Sequence, residues 1–113
     1  PTLVGFAPDT CHLAVAGCDV LETIRAYSRR VNYVHLKDAT KPGLFVPRDQ
    51  KWTDRMRELG RGKIDFPAVM KVIKAAGYDD WAAYEQDFST TTAEESARIS
   101  KRYIDRFLKP LYK

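Results

Sequence analysis

The chain has 113 residues, 44% apolar and 30% charged, which suits one small domain with a packed core and a wetted surface. No apolar run reaches the roughly 18 residues of a membrane span, and no basic-then-apolar opening is present, so neither a span nor a signal peptide is expected. The formal charge is +4, but the bases alternate with acids. That interspersion argues against a nucleic-acid stripe and for solvated helix faces.

The first element is an apolar run, expected as a strand over residues 3–8, stopped by Pro8 and followed at once by Asp9 and His12. Leu13 to Gly17 reads as a small-residue loop. Asp19 is an N-cap with Glu22 three residues on, and Val20, Ile24, Tyr27 and Val31 recur at helical spacing, so a helix is expected over 19–30. A second strand, 31–37, carries His35 and Lys37 near its end. Residues 38–65 are broken by Pro42, Gly43, Pro47, Gly60 and Gly62 and read as one long loop. Its glycine-rich part, Glu58 to Lys63, lacks any nucleotide-loop spacing and is expected to form a lid over the strand tips. Asp65 and Pro67 start a helix over 66–76 that Gly77 ends. A third strand, 80–86, leads into Glu85. Thr92 and Glu95 open a last helix, 92–110, with an apolar stripe of Ala93, Ala97, Ile104, Phe107, Leu108 and Leu111.

The alternation of strand and helix predicts an α/β fold with a parallel sheet. Three strands are too few to close on themselves, since a complete (β/α)₈ barrel takes about 250 residues. The chain therefore reads as a single partial barrel, its last three units. Leu3, Val4, Phe6, Val34 and Leu36 are expected to need partners that the chain does not supply. Open strand edges predict association, either as a homo-oligomer or with the missing N-terminal barrel portion.

Three strands end in Asp9, His35 and Glu85, and in a parallel sheet those ends meet. Two carboxylates and an imidazole form a mixed oxygen and nitrogen donor set for a divalent cation. Carboxylates favour Mg or Mn and imidazole favours Zn, Co or Fe, so the set leaves the metal open. Taken singly, Asp9 is a turn residue, His35 a core histidine and Glu85 a surface acid; their shared position at one end of consecutive strands favours a site. His12 is a further ligand, a substrate contact or a loop histidine. Lys37 shares the His35 face by the period of two and suits an anionic or hydroxyl oxygen, or else is a solvated strand end. Cys11 and Cys18 lack CxxC spacing and fit reduced thiols in a cytoplasmic protein.

Four motifs, Asp9-Thr10-x-His12, Val34-His35-Leu36-Lys37-Asp38, Glu58-Leu59-Gly60-x-Gly62-x-Ile64-Asp65-Phe66 and Glu85-Gln86-Asp87, resemble the xylose-isomerase-like barrel superfamily. Within it they resemble sugar phosphate isomerases and epimerases and inosose dehydratases. The resemblance implies strands six to eight of a TIM barrel, metal ligation by Asp9, His35 and Glu85, and a substrate-contacting His12. It also implies a divalent cation (Mn, Co, Mg or Zn), a sugar or polyol substrate, and proton abstraction next to a carbonyl with Glu85 and His12 as the catalytic groups. The outcome would be isomerisation, epimerisation or dehydration. A fourth ligand, a Glu at the end of the fifth strand, has no counterpart here, so a C-terminal fragment lacking one ligand is expected; the alternative is a non-catalytic assembly or binding fragment. The apurinic-site endonucleases of the same superfamily resemble Asp9-Thr10-Cys11-His12, but Met56 stands where their Asp-Arg-His pattern needs an imidazole.

Overall fold

The computed structural model describes residues 4–40 and 51–112. Its elements are α1 (Thr10–Val15), α2 (Val20–Tyr27), β1 (Val34–Leu36), β2 (Asp38–Ala39), β3 (Met56–Arg57), α3 (Phe66–Ala75), β4 (Ala82–Tyr84) and α4 (Ala93–Tyr103). β1 and β4 pair in parallel, with Val34 opposite Ala82 and Leu36 opposite Tyr84. The first apolar run joins the same array through two parallel bridges, Phe6 with Val31 and Asp9 with His35. Three chain segments thus run side by side in one direction, as βα units require.

The first run is a pair of bridges rather than a continuous strand, because Pro8 has no N–H to donate and Asp9 turns the chain. Asp9 then caps α1, its Oδ1 accepting from the His12 N–H at 2.9 Å. This short helix lies where a loop was expected. Asp19 caps α2 in the same way, accepting from Glu22 N–H, and one 3-10 turn, Ser28–Arg30, completes the expected helix. Asp65 caps α3 through Ala68 N–H, with Pro67 in the first turn.

The stretch expected as one loop holds ordered structure. β2 and β3 pair antiparallel, Asp38 with Arg57 and Ala39 with Met56. Residues 41–50, with Pro42, Gly43 and Pro47, lie outside the described residues.

The core joins Ile24 of α2, Val34 and Leu36 of β1, Val69 and Ile73 of α3, and Leu108 beyond α4. Each such side chain taken from water contributes about 1.5–3 kcal/mol. Val34 and Leu36 are therefore already covered, by helices, and do not lack partners. Their burial on the helix side sends His35, by the period of two, to the opposite side. Phe6 is half-buried and also packs against this core; Val4, by contrast, is 61% exposed, and Leu3 lies outside the described residues.

The apolar stripe expected on the last helix is also revised. Ala93 and Ala97 are exposed and Phe107 is 44% exposed. The buried residues of α4 are Ser96 and Ser100. A single π turn, Ile104–Leu108, follows α4 and shifts the helical register, so that Leu108 reaches the core.

Candidate metal centre at the strand tips

Adjacent segments bring Asp9, His35 and Glu85 together. His35 N–H donates to the Pro8 carbonyl at 2.9 Å, and Glu85 N–H donates to the Leu36 carbonyl at 3.2 Å. These ladder bonds place the three residues at neighbouring tips. One donor atom from each lies within 4.8 Å of the others. His35 Nδ1 stands 2.6 Å from Glu85 Oε2 and 3.7 Å from Asp9 Oδ2. The chemistry of the set fits a divalent cation: two carboxylates supply charge and one imidazole supplies a neutral nitrogen. For Nδ1 to serve as a donor atom, the ring proton must sit on Nε2.

Lys37 lies in the same cluster. Its side chain is 2% exposed, so it is no solvated strand end. Its Nζ reaches Asp9 Oδ2 at 3.1 Å, Glu85 Oε1 at 3.2 Å and Asp87 Oδ2 at 2.8 Å. Burial works against the ammonium charge, but the hydrogen bonds to Asp87, Asp9 and Glu85 outweigh it and raise the lysine above its ordinary value. The same Lys37 bond holds Asp87 below the ordinary carboxylate range.

His12 stands at the rim. Its side chain is 54% exposed, with Nε2 3.7 Å from Asp9 Oδ2. It lies outside the group formed by Asp9, His35 and Glu85.

Two residues of the site stood in the quoted motifs but were given no role from sequence. Asp87 follows Glu85 by two, and that period was the available signal. Thr10 is fully buried. Its Oγ1 accepts from Lys37 N–H at 2.9 Å and donates to the Lys37 carbonyl at 2.7 Å, tying α1 to the end of β1. Its place in the Asp9-Thr10-x-His12 motif gave no sign of this contact, which lies 27 residues on.

The glycine-rich segment expected as a lid is bonded down. Asp38 is fully buried and accepts from four backbone N–H groups, Ala39, Gly60 and Gly62 at 2.9 Å each and Ile64 at 3.3 Å. A Cβ on Gly62 would sit 2.0 Å from Asp38 Oδ1, so this close approach needs glycine. Burial pushes the Asp38 carboxyl up, and the four N–H bonds only partly offset it. Glu58 is buried too, accepting from Ser89 Oγ at 2.9 Å and Ser96 Oγ at 3.1 Å.

Among the described residues no helix is long and apolar enough to cross a membrane.

An inosose dehydratase of Geobacillus kaustophilus is 32% identical over 96% of this chain, and the match spans 38% of that enzyme. An inosose dehydratase of Lactiplantibacillus plantarum is 33% identical over 96% of this chain and 39% of its own length. Among solved structures, the IOLI protein with a binding zinc atom superposes with a TM-score of 0.69 at 22% identity, covering 94% of this chain and 38% of that one. An L-ribulose 3-epimerase superposes with a TM-score of 0.66 at 21% identity, over 97% of this chain and 38% of its own. The chain thus spans about two fifths of the relatives it matches. A family model described as the xylose isomerase-like TIM barrel matches residues 1–107, and the chain belongs to that family as a partial α/β barrel of parallel βα units.

Proposed function

We propose that this chain supplies three ligands, Asp9, His35 and Glu85, to a divalent-cation site of a sugar or polyol isomerase, epimerase or inosose dehydratase. The observation that carries the reading is the convergence of their donor atoms within 4.8 Å from three separate strand tips. The dehydratase or epimerase outcome is favoured, since the curated relatives are inosose dehydratases. A cation held there would supply Lewis-acid polarisation of a substrate carbonyl. Mn, Co, Mg and Zn all suit the donor set.

The chain's own groups divide the remaining work. Glu85, at the cluster's solvent side with 39% of its side chain exposed, is the base that takes the proton from the carbon next to the carbonyl. Lys37 holds a substrate oxygen from below. His12, at the rim, donates a hydrogen bond to a hydroxyl and returns a proton. Reprotonation at carbon gives isomerisation or epimerisation; loss of a neighbouring hydroxyl gives dehydration.

The test is calorimetry with Mn²⁺, Co²⁺ and Zn²⁺. Cation binding is expected, lost in Asp9→Ala and in His35→Ala. Tight binding untouched by either substitution would sink the reading. Exchange of the proton next to the carbonyl of an inosose in deuterium oxide, followed by NMR, then tests the chemistry.

A second reading, a non-catalytic assembly fragment, is favoured by one feature. Val4 in the first run is 61% exposed and Trp81 beside β4 is 78% exposed. Both flank the edges of the three-segment array. On this reading the edges pair with a second copy or with further barrel units. Light scattering at micromolar concentration decides it: a monomer with a cooperative melt counts against association.

A further inference from the structure

The cluster already contains a cation. Lys37 Nζ lies at 3.1 and 3.2 Å from Asp9 and Glu85, the two carboxylates of the triad, and at 2.8 Å from Asp87, which is not part of the triad. Carboxylates this close repel one another, and the ammonium of Lys37 between them offsets that repulsion. Its side chain is 2% exposed, so water contributes little to its solvation and the carboxylates must hold it. Three carboxylates against one ammonium leave a surplus of two negative charges, which is the charge of a divalent cation.

We propose that Lys37 is a built-in counter-ion of the cation site, holding Asp9 and Glu85 together before a metal arrives, opposing metal entry, and passing to Asp87 as the metal binds. The proposal rests on the reading of Asp9, His35 and Glu85 as ligands. Asp87 is then a positioning residue, acting through Lys37. Its distance to Nζ is the shortest of the three, so the ammonium has a partner to keep when the other two turn to the metal. The arrangement makes a loosely held, exchangeable divalent cation the natural occupant and disfavours retention of a monovalent one.

The experiment is Mn²⁺ binding to the protein and its variants, read by calorimetry and by the electron paramagnetic resonance of free Mn²⁺. Lys37→Met is expected to bind on the order of tenfold more tightly than the unaltered protein, because a positive charge in contact with both ligand carboxylates is gone. Adding Asp9→Asn to Lys37→Met is expected to abolish the gain. Asp87→Asn is expected to weaken binding, and to do so less when Lys37 is already replaced. Equal or weaker binding by Lys37→Met, with Asp9→Asn still destructive, overturns the proposal while leaving the ligand reading intact. Binding indifferent to Asp9→Asn and Glu85→Gln overturns both, as does an absence of binding in every variant. Should Lys37→Met fail to fold, Lys37→Gln keeps a polar group in the pocket and carries the same expectation. In the unaltered protein, the Lys37 Cε resonance must move during a Zn²⁺ titration; a resonance that stays fixed as binding saturates also overturns the proposal.

Discussion

Lys37 and Asp38 are neighbours in the chain and organise opposite kinds of polar site. Lys37 faces Asp9, Glu85 and Asp87, whose side chains are 16 to 39% exposed and are held mainly by other side chains. Asp38 faces the other way and is fully buried, with four backbone N–H groups aimed at its two oxygens. The difference lies in who supplies the partners. Backbone donors are fixed by the fold and leave Asp38 nothing further to bind, so it acts as a structural staple. Side-chain partners can rearrange, so the Lys37 cluster keeps capacity for a ligand. A strand end separates the two duties by the period of two that splits any pleated segment.

The comparison is broken if the staple proves dispensable. Asp38→Ala orphans four N–H groups, and an unsatisfied buried group costs about 1–3 kcal/mol, so the expected loss is roughly 3 kcal/mol or more. Gly62→Ala should be comparably harmful, since its Cβ would lie 2.0 Å from Asp38 Oδ1. Chemical denaturation of both variants measures this. A change of less than about 1 kcal/mol in each would show that the segment does not depend on Asp38.

The contrasting substitution is Glu85→Gln. It should leave stability in metal-free buffer within about 1 kcal/mol, because Lys37 retains Asp9 and Asp87. Cation affinity should fall at least about tenfold, the lower end of what even outer partners of a metal site are worth. Paired denaturation and calorimetry check it. A large loss of stability with unchanged affinity would reverse the assignment of duties.

The asymmetry also explains what the sequence revealed. Asp9, His35, Lys37 and Glu85 were legible because each follows an apolar run, and strand tips in parallel folds converge. The caps Asp19, Asp65 and Thr92 were legible because capping is local. The role of Asp38 was hidden: it and Gly60, Gly62 and Ile64 all stood in quoted motifs, but no local pattern shows that the backbone N–H groups of those three, 22 to 26 residues away, meet its carboxylate. The serine face of α4 was hidden for the same reason. Ser96 and Ser100 look like surface residues until Glu58 Oε1 and the Leu59 N–H are found against them, at 3.1 Å each. Of the expected stripe, Ile104, Leu108 and Leu111 pack on the core, while Ala93, Ala97 and Phe107 stay exposed, hydroxyls with buried partners having taken the inner positions of α4. Thr10 belongs with these, its role being set by a strand 27 residues on.

Glu58 provides a smaller effect with a defined pH sign. Burial pushes its carboxyl up, but hydrogen bonds from its own backbone, Ser89 and Ser96, with the charge of Arg61, leave it below its ordinary 4.5. A lowered value in the folded state gives stability that is complete above 4.5 and is lost as pH falls through the folded value. The unaltered protein should therefore exceed Glu58→Gln by ~1 kcal/mol at neutral pH, the gap closing in acid. Asp38 titrates with the opposite sign, since its value is raised, so only the difference between the two proteins isolates Glu58. Thermal melts from pH 7 to pH 3 measure that difference, and a gap that widens in acid contradicts the assignment.

The smallest effect is read by thiol chemistry at Cys11, which lies between the two regions. Cys11 is fully buried and packs with Ala39 and Met56, beside the Asp38 staple. Burial first, and then the Asp9 charge, push its thiol up to about 11 from an ordinary 9.0. That leaves roughly 100-fold less thiolate at neutral pH, and thiolate is the reactive form. Cys18 is exposed. A thiol reagent at pH 8 should therefore modify Cys18 promptly and Cys11 only when the surrounding segment opens. If the staple governs that opening, Asp38→Ala should speed Cys11 modification while Glu85→Gln leaves it unchanged, as mass spectrometry of the labelled peptides would report. Equal acceleration by both would mean that the two carboxylate regions form one cooperative unit, and that the division at Lys37 and Asp38 holds for geometry but not for stability.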